Sequence, residues 1–297
     1  MEQSVKPKKK RKFITPKTAP YIFIAPAVLL FVIFTLYPVI SSLILSFQRT
    51  TGGVTEFAGL ANYIRLFNDP LFYKALSNTF IILIIQVPIM LTLAVILAVF
   101  MNSALLKMRG FFRVAFFMPA ITALVAYAII FMILLDENYG IVNYMLNLLG
   151  FDSIAWLNDP FWAKVSLIIA VTWRWTGYNM VIFLAGLQNI SSSLYEAASI
   201  DGAGKIRQFF SITLPQLKPI FLFTFVLSTI GTLQLFDEPF ILTGGGPNNS
   251  TLTISLYLYM NGFRYFDFNY ASAIAYVLVI IIAILSWLQM KVVGDKE

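Results

Sequence analysis

The sequence predicts an all-α integral membrane protein with six transmembrane helices, and three observations carry that prediction. Of 297 residues, 59% are hydrophobic and 12% charged, with mean hydropathy +0.80; a soluble domain carries roughly 25% charged residues. Apolar runs able to hold a helix of about 20 residues recur six times. The basic residues cluster on alternate connections, which is the bias that orients membrane helices.

The runs are read in order as spans over 20–47, 75–101, 114–135, 163–187, 220–236 and 270–290. No charge lies between Thr18 and Gln48, and a cleaved signal peptide has an apolar core of only about 7–15 residues, so the first span is expected to stay as a helix. Pro88 is expected to kink the second span, and Pro119 falls in the first turns of the third. The connection 48–74 is of mixed charge, and 136–162 holds four acidic residues and no basic one. The long connection 237–269 contains Thr243-Gly244-Gly245-Gly246-Pro247. The domain organisation is thus a basic tail at 1–19, a six-helix domain at 20–290 with a loop at 189–219, and a short tail at 291–297.

Placing the amino terminus in the cytoplasm puts 15 of the 21 Lys and Arg on cytoplasmic segments, so both termini are expected there. Net charge is +7, concentrated at Lys6, Lys8, Lys9, Lys10, Arg11, Lys12 and Lys17. Directly before a membrane run, such a cluster reads as an anchor to the lipid surface rather than a nucleic-acid or nuclear-targeting signal.

Catalysis finds little to work with. The chain has no cysteine and no histidine, which removes thiol chemistry and the commonest general base and metal ligand. Carboxylates sit at span ends. Gly204-Lys205 resembles half of a phosphate-binding loop, but Ile206 and Ser199 stand where Ser/Thr and Gly are needed. No enzyme activity, catalytic residue, metal site or bound cofactor is expected of this chain.

The loop after span four is its most patterned polar stretch. Ser193 and Glu196 have capping-box spacing, so a helix is expected to start at Ser193. Ala197 and Ala198 keep part of it small. Gly202 and Gly204 are expected to end or turn it. A second helix is expected over 205–212, with Pro215 and Pro219 separating it from span five.

Inside the spans, Arg174 stands out, because a charge facing lipid there costs about 3 kcal/mol. It is expected to face protein, a watery cavity or the interface. It either pairs with a carboxylate such as Asp237 or Glu238, or meets substrate. Val171, Arg174, Trp175 and Tyr178 share one helical face. Flat rings and a many-donor guanidinium suit the C–H faces and hydroxyls of a sugar. Ser228, Gly231, Thr232 and Leu235 form a comparable stripe in span five, suited either to tight helix packing or to ligand contact.

Several segments together resemble a known family. Glu196-Ala197-Ala198, Gly202, Ile212 and Leu214-Pro215 are spaced like the EAA loop of ABC-importer permeases. Ala185-Gly186-Leu187-Gln188-Asn189, Phe236-Asp237, Leu242-Thr243-Gly244-Gly245-Gly246-Pro247 and Tyr37-Pro38 extend the likeness over most of 20–290. The chain is therefore similar to sugar-type permeases, the binding-protein-dependent inner-membrane components of the maltose-transporter class. It departs from many of them at Ile190-Ser191, where Ile-Pro is usual.

The resemblance implies a type I importer permease in a bacterial cytoplasmic membrane. It implies a homologous second permease, two ATPase subunits holding ATP and Mg, and an external binding protein that delivers the sugar, an oligosaccharide by expectation. It places Glu196, Ala197, Ala198, Asp201, Gly202, Ala203, Leu214 and Pro215 in an ATPase-coupling loop. It brings Arg174, Trp175, Tyr178, Ser228, Thr232 and Leu235 to or near substrate-lining positions. The alternatives are a permease for another solute such as glycerol phosphate, or an ion-coupled secondary transporter; the latter would need intramembrane carboxylates, and the spans offer none away from their ends.

Overall fold

The computed structural model describes residues 17–103 and 106–294. The basic cluster at 6–12 and the last residues of the expected carboxy-terminal tail lie outside the described residues. Helix α1 (Ala19–Ser46) is 28 residues long and almost wholly exposed. It touches the rest of the chain near its end, where Ser42 Oγ lies 3.2 Å from Ser272 Oγ and the Tyr276 hydroxyl donates to the Val39 carbonyl.

The expected loop 48–74 is folded. Strands β1 (Gln48–Thr51) and β2 (Val54–Phe57) pair antiparallel, with Arg49 opposite Glu56. Asn62, on the short helix α2 (Ala61–Phe67), donates to the Ser46 and Gln48 carbonyls at 2.8 Å each. One amide thus ties the hairpin to the end of α1.

Helix α3 (Pro70–Asn102) starts earlier than its apolar run suggests. Asp69 accepts the Leu71 N–H at 2.9 Å, and Pro70 occupies the first turn, where its missing N–H costs nothing. Pro88 lies inside this helix, which remains unbroken.

The third span departs most from expectation. It is two helices, α4 (Arg109–Ile121) and α5 (Leu124–Leu134), at 97° to each other. Thr122 and Ala123 between them are extended. Pro119 removes one helical donor, and Thr122 Oγ1 donates to the Met118 carbonyl at 3.0 Å, so the helix ends there.

After the short α6 (Ile141–Leu148), helix α7 (Pro160–Gln188) repeats the Asp-Pro start. Asp159 accepts the N–H groups of Phe161 and Trp162, each at 2.9 Å. Helices α3 and α7 run parallel: Ile82 packs with Leu167 and Val171, and Val87 to Met101 pack with Met180 to Leu187. Against α7 lies α4, and the contact is backbone to backbone. A Cβ built on Gly177 would fall 1.7 Å from the Phe116 carbonyl oxygen.

Helices α8 (Ser192–Ile200) and α9 (Lys205–Gln216) form the loop. A 65° bend separates α9 from α10 (Lys218–Leu233). The connection after α10 runs back into the bundle. It has a π-helical turn at Pro239–Thr243, then buried Leu252, Thr253 and Ile254, then helix α11 (Ile254–Tyr259). Polar groups of α3 meet its backbone there. Asn78 donates to the carbonyls of Asn249 and Leu252 at 2.7 and 3.0 Å, and Thr79 Oγ1 accepts the Ile254 N–H at 3.1 Å. Helix α12 (Phe268–Gly294) closes the chain.

At the Asp69 end, the Tyr270 hydroxyl donates to Asp69 at 2.5 Å, and the Tyr257 hydroxyl donates to the same oxygen. Arg65 stacks over the Tyr270 ring at 3.9 Å and pairs with Asp267 at 2.6 Å. This cluster joins α2, α3, α11 and α12. Burial pushes the Asp69 carboxyl up, but the two tyrosine hydroxyls and the backbone N–H groups of Leu71 and Phe72 outweigh it and hold Asp69 below its usual value of 3.8.

These contacts predict two outcomes. Gly177→Ala forces α4 off α7 and lowers stability by about 1–3 kcal/mol, read as an earlier thermal transition in detergent; an unchanged transition would refute the close crossing. Because the folded-state pKa of Asp69 is depressed, its stabilisation is complete above about pH 4 and is lost as pH falls through the lower folded value. Asp69→Asn is therefore expected to lose less stability than the parent chain on acidification, measured by thermal melts across the acid range.

Candidate functional site

The structure corrects the expected helix start in the loop at 189–219. The cap is Ser191, not Ser193: Ser191 is extended, its Oγ accepts the Ser193 N–H at 3.4 Å, and the two hydroxyls share a 2.7 Å hydrogen bond. Three consecutive serines offer three registers, and the first one takes the cap. Glu196 therefore lies in mid-helix, exposed, with Ala197 beside it and Ala198 half-buried.

Gly202 has φ +76°. Its N–H reaches the Ser199 carbonyl at 3.1 Å, and the Ala203 N–H reaches Ala198 at 2.8 Å. That pair of bonds is a complete Schellman ending. Gly204 is extended and starts α9 instead of turning the chain. The second helix does not stop at Ile212: it passes through a π-helical turn at Phe209–Thr213, so Leu214 and Pro215 are helical.

Two residues that sequence reasoning overlooked hold the pair of helices together. Buried Gln208 donates to Ser199 Oγ at 2.9 Å and to the Ala203 carbonyl at 3.0 Å. The Tyr195 hydroxyl meets Thr213 Oγ1 at 2.9 Å. Outside this clasp, Asp201 and Gly202 are exposed, flanked by Ile200 at 87% and Ile206 at 78% exposure. The loop presents an apolar, partly charged surface with a fixed shape.

The second site is a cavity of about 550 Å³ inside the bundle. Arg174, Trp175, Tyr178, Ser228, Thr232 and Leu235 all line it. Helix α7 supplies the first three and α10 the next two; Leu235 follows α10. Gln86 of α3, Asn179 of α7, and Gln234, Asp237 and Glu238 complete the polar part of the wall, with Met90 beside Gln86. Thr232 donates to Gln86 Oε1 at 3.1 Å, Gln86 donates to Met90 Sδ at 3.2 Å, and Asn179 donates to the Trp175 carbonyl at 3.0 Å. Gln86 and Asn179 were visible in the sequence as amides inside apolar spans, as was Asn78.

Arg174 is buried, its guanidinium 4.7 Å above the Tyr127 ring and 5.6 Å from the Trp175 ring. Among the described residues it forms no ion pair with Asp237 or Glu238, and its Nε and Nη1 meet no hydrogen-bond acceptor. Glu238 is likewise buried. The wall thus offers free donors, acceptors and two aromatic rings half open to the cavity. That is the surface on which a polyhydroxylated solute fits.

Comparison with known proteins agrees in fold and family. The chain is 50% identical over 282 residues to the lactose transport system permease protein LacF of Rhizobium radiobacter, covering 93% of this chain and 94% of that one. It is 42% identical over 289 residues to the arabinooligosaccharides transport system permease protein AraP of Bacillus subtilis strain 168, covering 95% and 91%. Its fold matches a chain of a bacterial ABC transporter involved in the import of the acidic polysaccharide alginate, with TM-score 0.84, 23% identity, and coverage of 93% and 95%. Residues 57–293 match the family described as binding-protein-dependent transport system inner membrane component. The chain belongs to that family.

Proposed function

We propose that the chain is one permease subunit of an ATP-driven importer that passes a short oligosaccharide through the cavity around Arg174. One observation carries the reading: the helix that enters the loop and the helix that leaves it both line the cavity. Helix α7 brings Arg174, Trp175 and Tyr178 to it and ends at Gln188, directly before the loop; α10 leaves the loop and brings Ser228 and Thr232. Tyr178 and Gln188 are ten residues apart on one helix, about 15 Å. A push on the loop therefore reaches the cavity through two rigid elements.

In this reading, ATP and Mg are held by two separate ATPase subunits, a homologous permease completes the path, and an external binding protein delivers cargo. Glu196, Ala197, Ala198, Asp201, Gly202 and Ala203 form the docking surface, and Leu214 and Pro215 stiffen the exit into α10. The termini lie in the cytoplasm, the side that the basic connections favour. Arg174 supplies donors to sugar hydroxyls, and Trp175 and Tyr178 pack on C–H faces. Two relatives are named for short sugars, lactose and arabinooligosaccharides, which supports cargo of that class.

The test is ATPase activity of the complete assembly in lipid, with binding protein loaded from a panel of oligosaccharides and glycerol phosphate. Stimulation by an oligosaccharide is expected; stimulation by glycerol phosphate alone would replace the sugar reading with an anion one. Gly202→Trp meets open space within this chain, yet strains a positive φ by about 1–2 kcal/mol and enlarges the docking surface. It is expected to leave the protein in the membrane with stimulated ATPase and uptake abolished. Normal uptake would remove Gly202 from the coupling surface.

Arg174→Met separates binding from folding. It removes a buried guanidinium with two unpartnered nitrogens, so stability is expected to change by less than about 1–2 kcal/mol, the loss of ring contact offsetting relief of the buried charge. Uptake is expected to fall at least about tenfold, the equivalent of one lost hydrogen bond to a charged donor. Unchanged uptake would make Arg174 a packing residue.

A further inference from the structure

A second recess lies between α4 and α7, on the loop side of the Gly177 crossing. It measures about 320 Å³ and is walled by Val114, Phe117, Val181 and Leu184, with Arg113 and Gln188 as its long polar side chains. The Arg113 Nε is buried and meets no hydrogen-bond acceptor among the described residues. Neither helix can supply a countercharge, because α4 and α7 contain no Asp or Glu along their length. The positive charge is instead reinforced: Arg109 lies one turn before Arg113 on the same helical face, and Lys107 just precedes the helix.

We propose that this recess binds the phosphate headgroup of an anionic phospholipid, with Arg113 as the principal donor and one acyl chain lying along Phe117, Val181 and Leu184. The placement favours a lipid over a free anion. The recess sits at the ends of two membrane helices, beside Gln188, where a span meets the headgroup region. The α4 side chains flanking it, Phe111, Val114 and Met118, are exposed and apolar, as suits a face turned to hydrocarbon. An apolar wall contributes nothing to holding inorganic phosphate but adds favourable contact for a chain-bearing one. A guanidinium at this depth is costly until an acceptor reaches it, and its planar donors match phosphate oxygens. Bound here, the lipid fills the gap beside the helix that joins the cavity to the loop.

Lipid binding at this recess is independent of the cargo assignment, and so is its test. The complete transport assembly is titrated with phosphatidylglycerol and followed by native mass spectrometry. Retention of phosphatidylglycerol is expected over phosphatidylcholine of the same chains, with no displacement by millimolar inorganic phosphate. Arg113→Gln is expected to weaken retention about tenfold, and Arg113→Lys less. Val181→Phe, which fills the apolar wall and leaves the charge alone, is expected to weaken it similarly at an unchanged thermal transition. Three results would overturn the proposal: equal retention by Arg113→Gln, displacement by inorganic phosphate, or loss of the companion permease from the Arg113→Gln assembly, which would make the recess a subunit contact.

Discussion

At membrane depth no water stands ready to satisfy a polar group, and each unmet one costs several kcal/mol. The arrangement of this chain reflects that constraint. The segment after α10 carries non-helical backbone into the bundle, and Asn78 and Thr79 of α3 meet its carbonyls and N–H groups. Thr253 does the same for the Leu235 carbonyl at 2.7 Å. A second group of buried polar residues gathers at the cavity wall. Gln86, Thr232 and Asn179 are partly engaged with one another and with backbone, whereas Arg174 retains free donors. In place of acceptors, the described residues offer that guanidinium the faces of the Tyr127 and Trp175 rings.

Much of this was legible in the sequence. Hydropathy located all six apolar runs, because burial in lipid leaves an unmistakable compositional trace. The face shared by Val171, Arg174, Trp175 and Tyr178 followed from helical periodicity, and the structure gathers those residues with the Ser228–Leu235 stripe around one space. Boundaries were less legible. Hydropathy missed the first turns of α3 and α7, since Asp69 and Asp159 act there through caps that an apolar count ignores. The 97° break in the third span was hidden because Thr122 and Ala123 are as compatible with a helix as with its end. The cap at Ser191 was missed because adjacent serines are chemically identical candidates.

The broken third span has a structural role that a straight helix could not fill. With α4 lying on α7 and α5 set at 97° to α4, Tyr127 comes beneath the Arg174 guanidinium, and Leu124 enters the cavity wall. A continuous helix in contact with Gly177 would have carried the Tyr127 ring past that position. The loop is built with similarly few parts. One glycine in a left-handed conformation ends α8, and Gln208 and Tyr195 fix the angle at which α9 leaves it. The exposed surface therefore keeps its shape without burying a core of its own.

The crossing at Gly177 has a mechanical consequence. Where a glycine meets a backbone carbonyl directly, no side chain lies between the two main chains to yield, and the Phe117 and Tyr178 rings stack beside that point at 6.4 Å. For a tilt of α7 about Gly177, one arm of 11 residues, about 16 Å, reaches Gln188, and the other of 17 residues, about 26 Å, reaches Pro160. A tilt that carries the short arm about 3 Å would swing the far end roughly 5 Å the opposite way, in the ratio of those lengths. In such a tilt a small displacement at one end of α7 is magnified at the other.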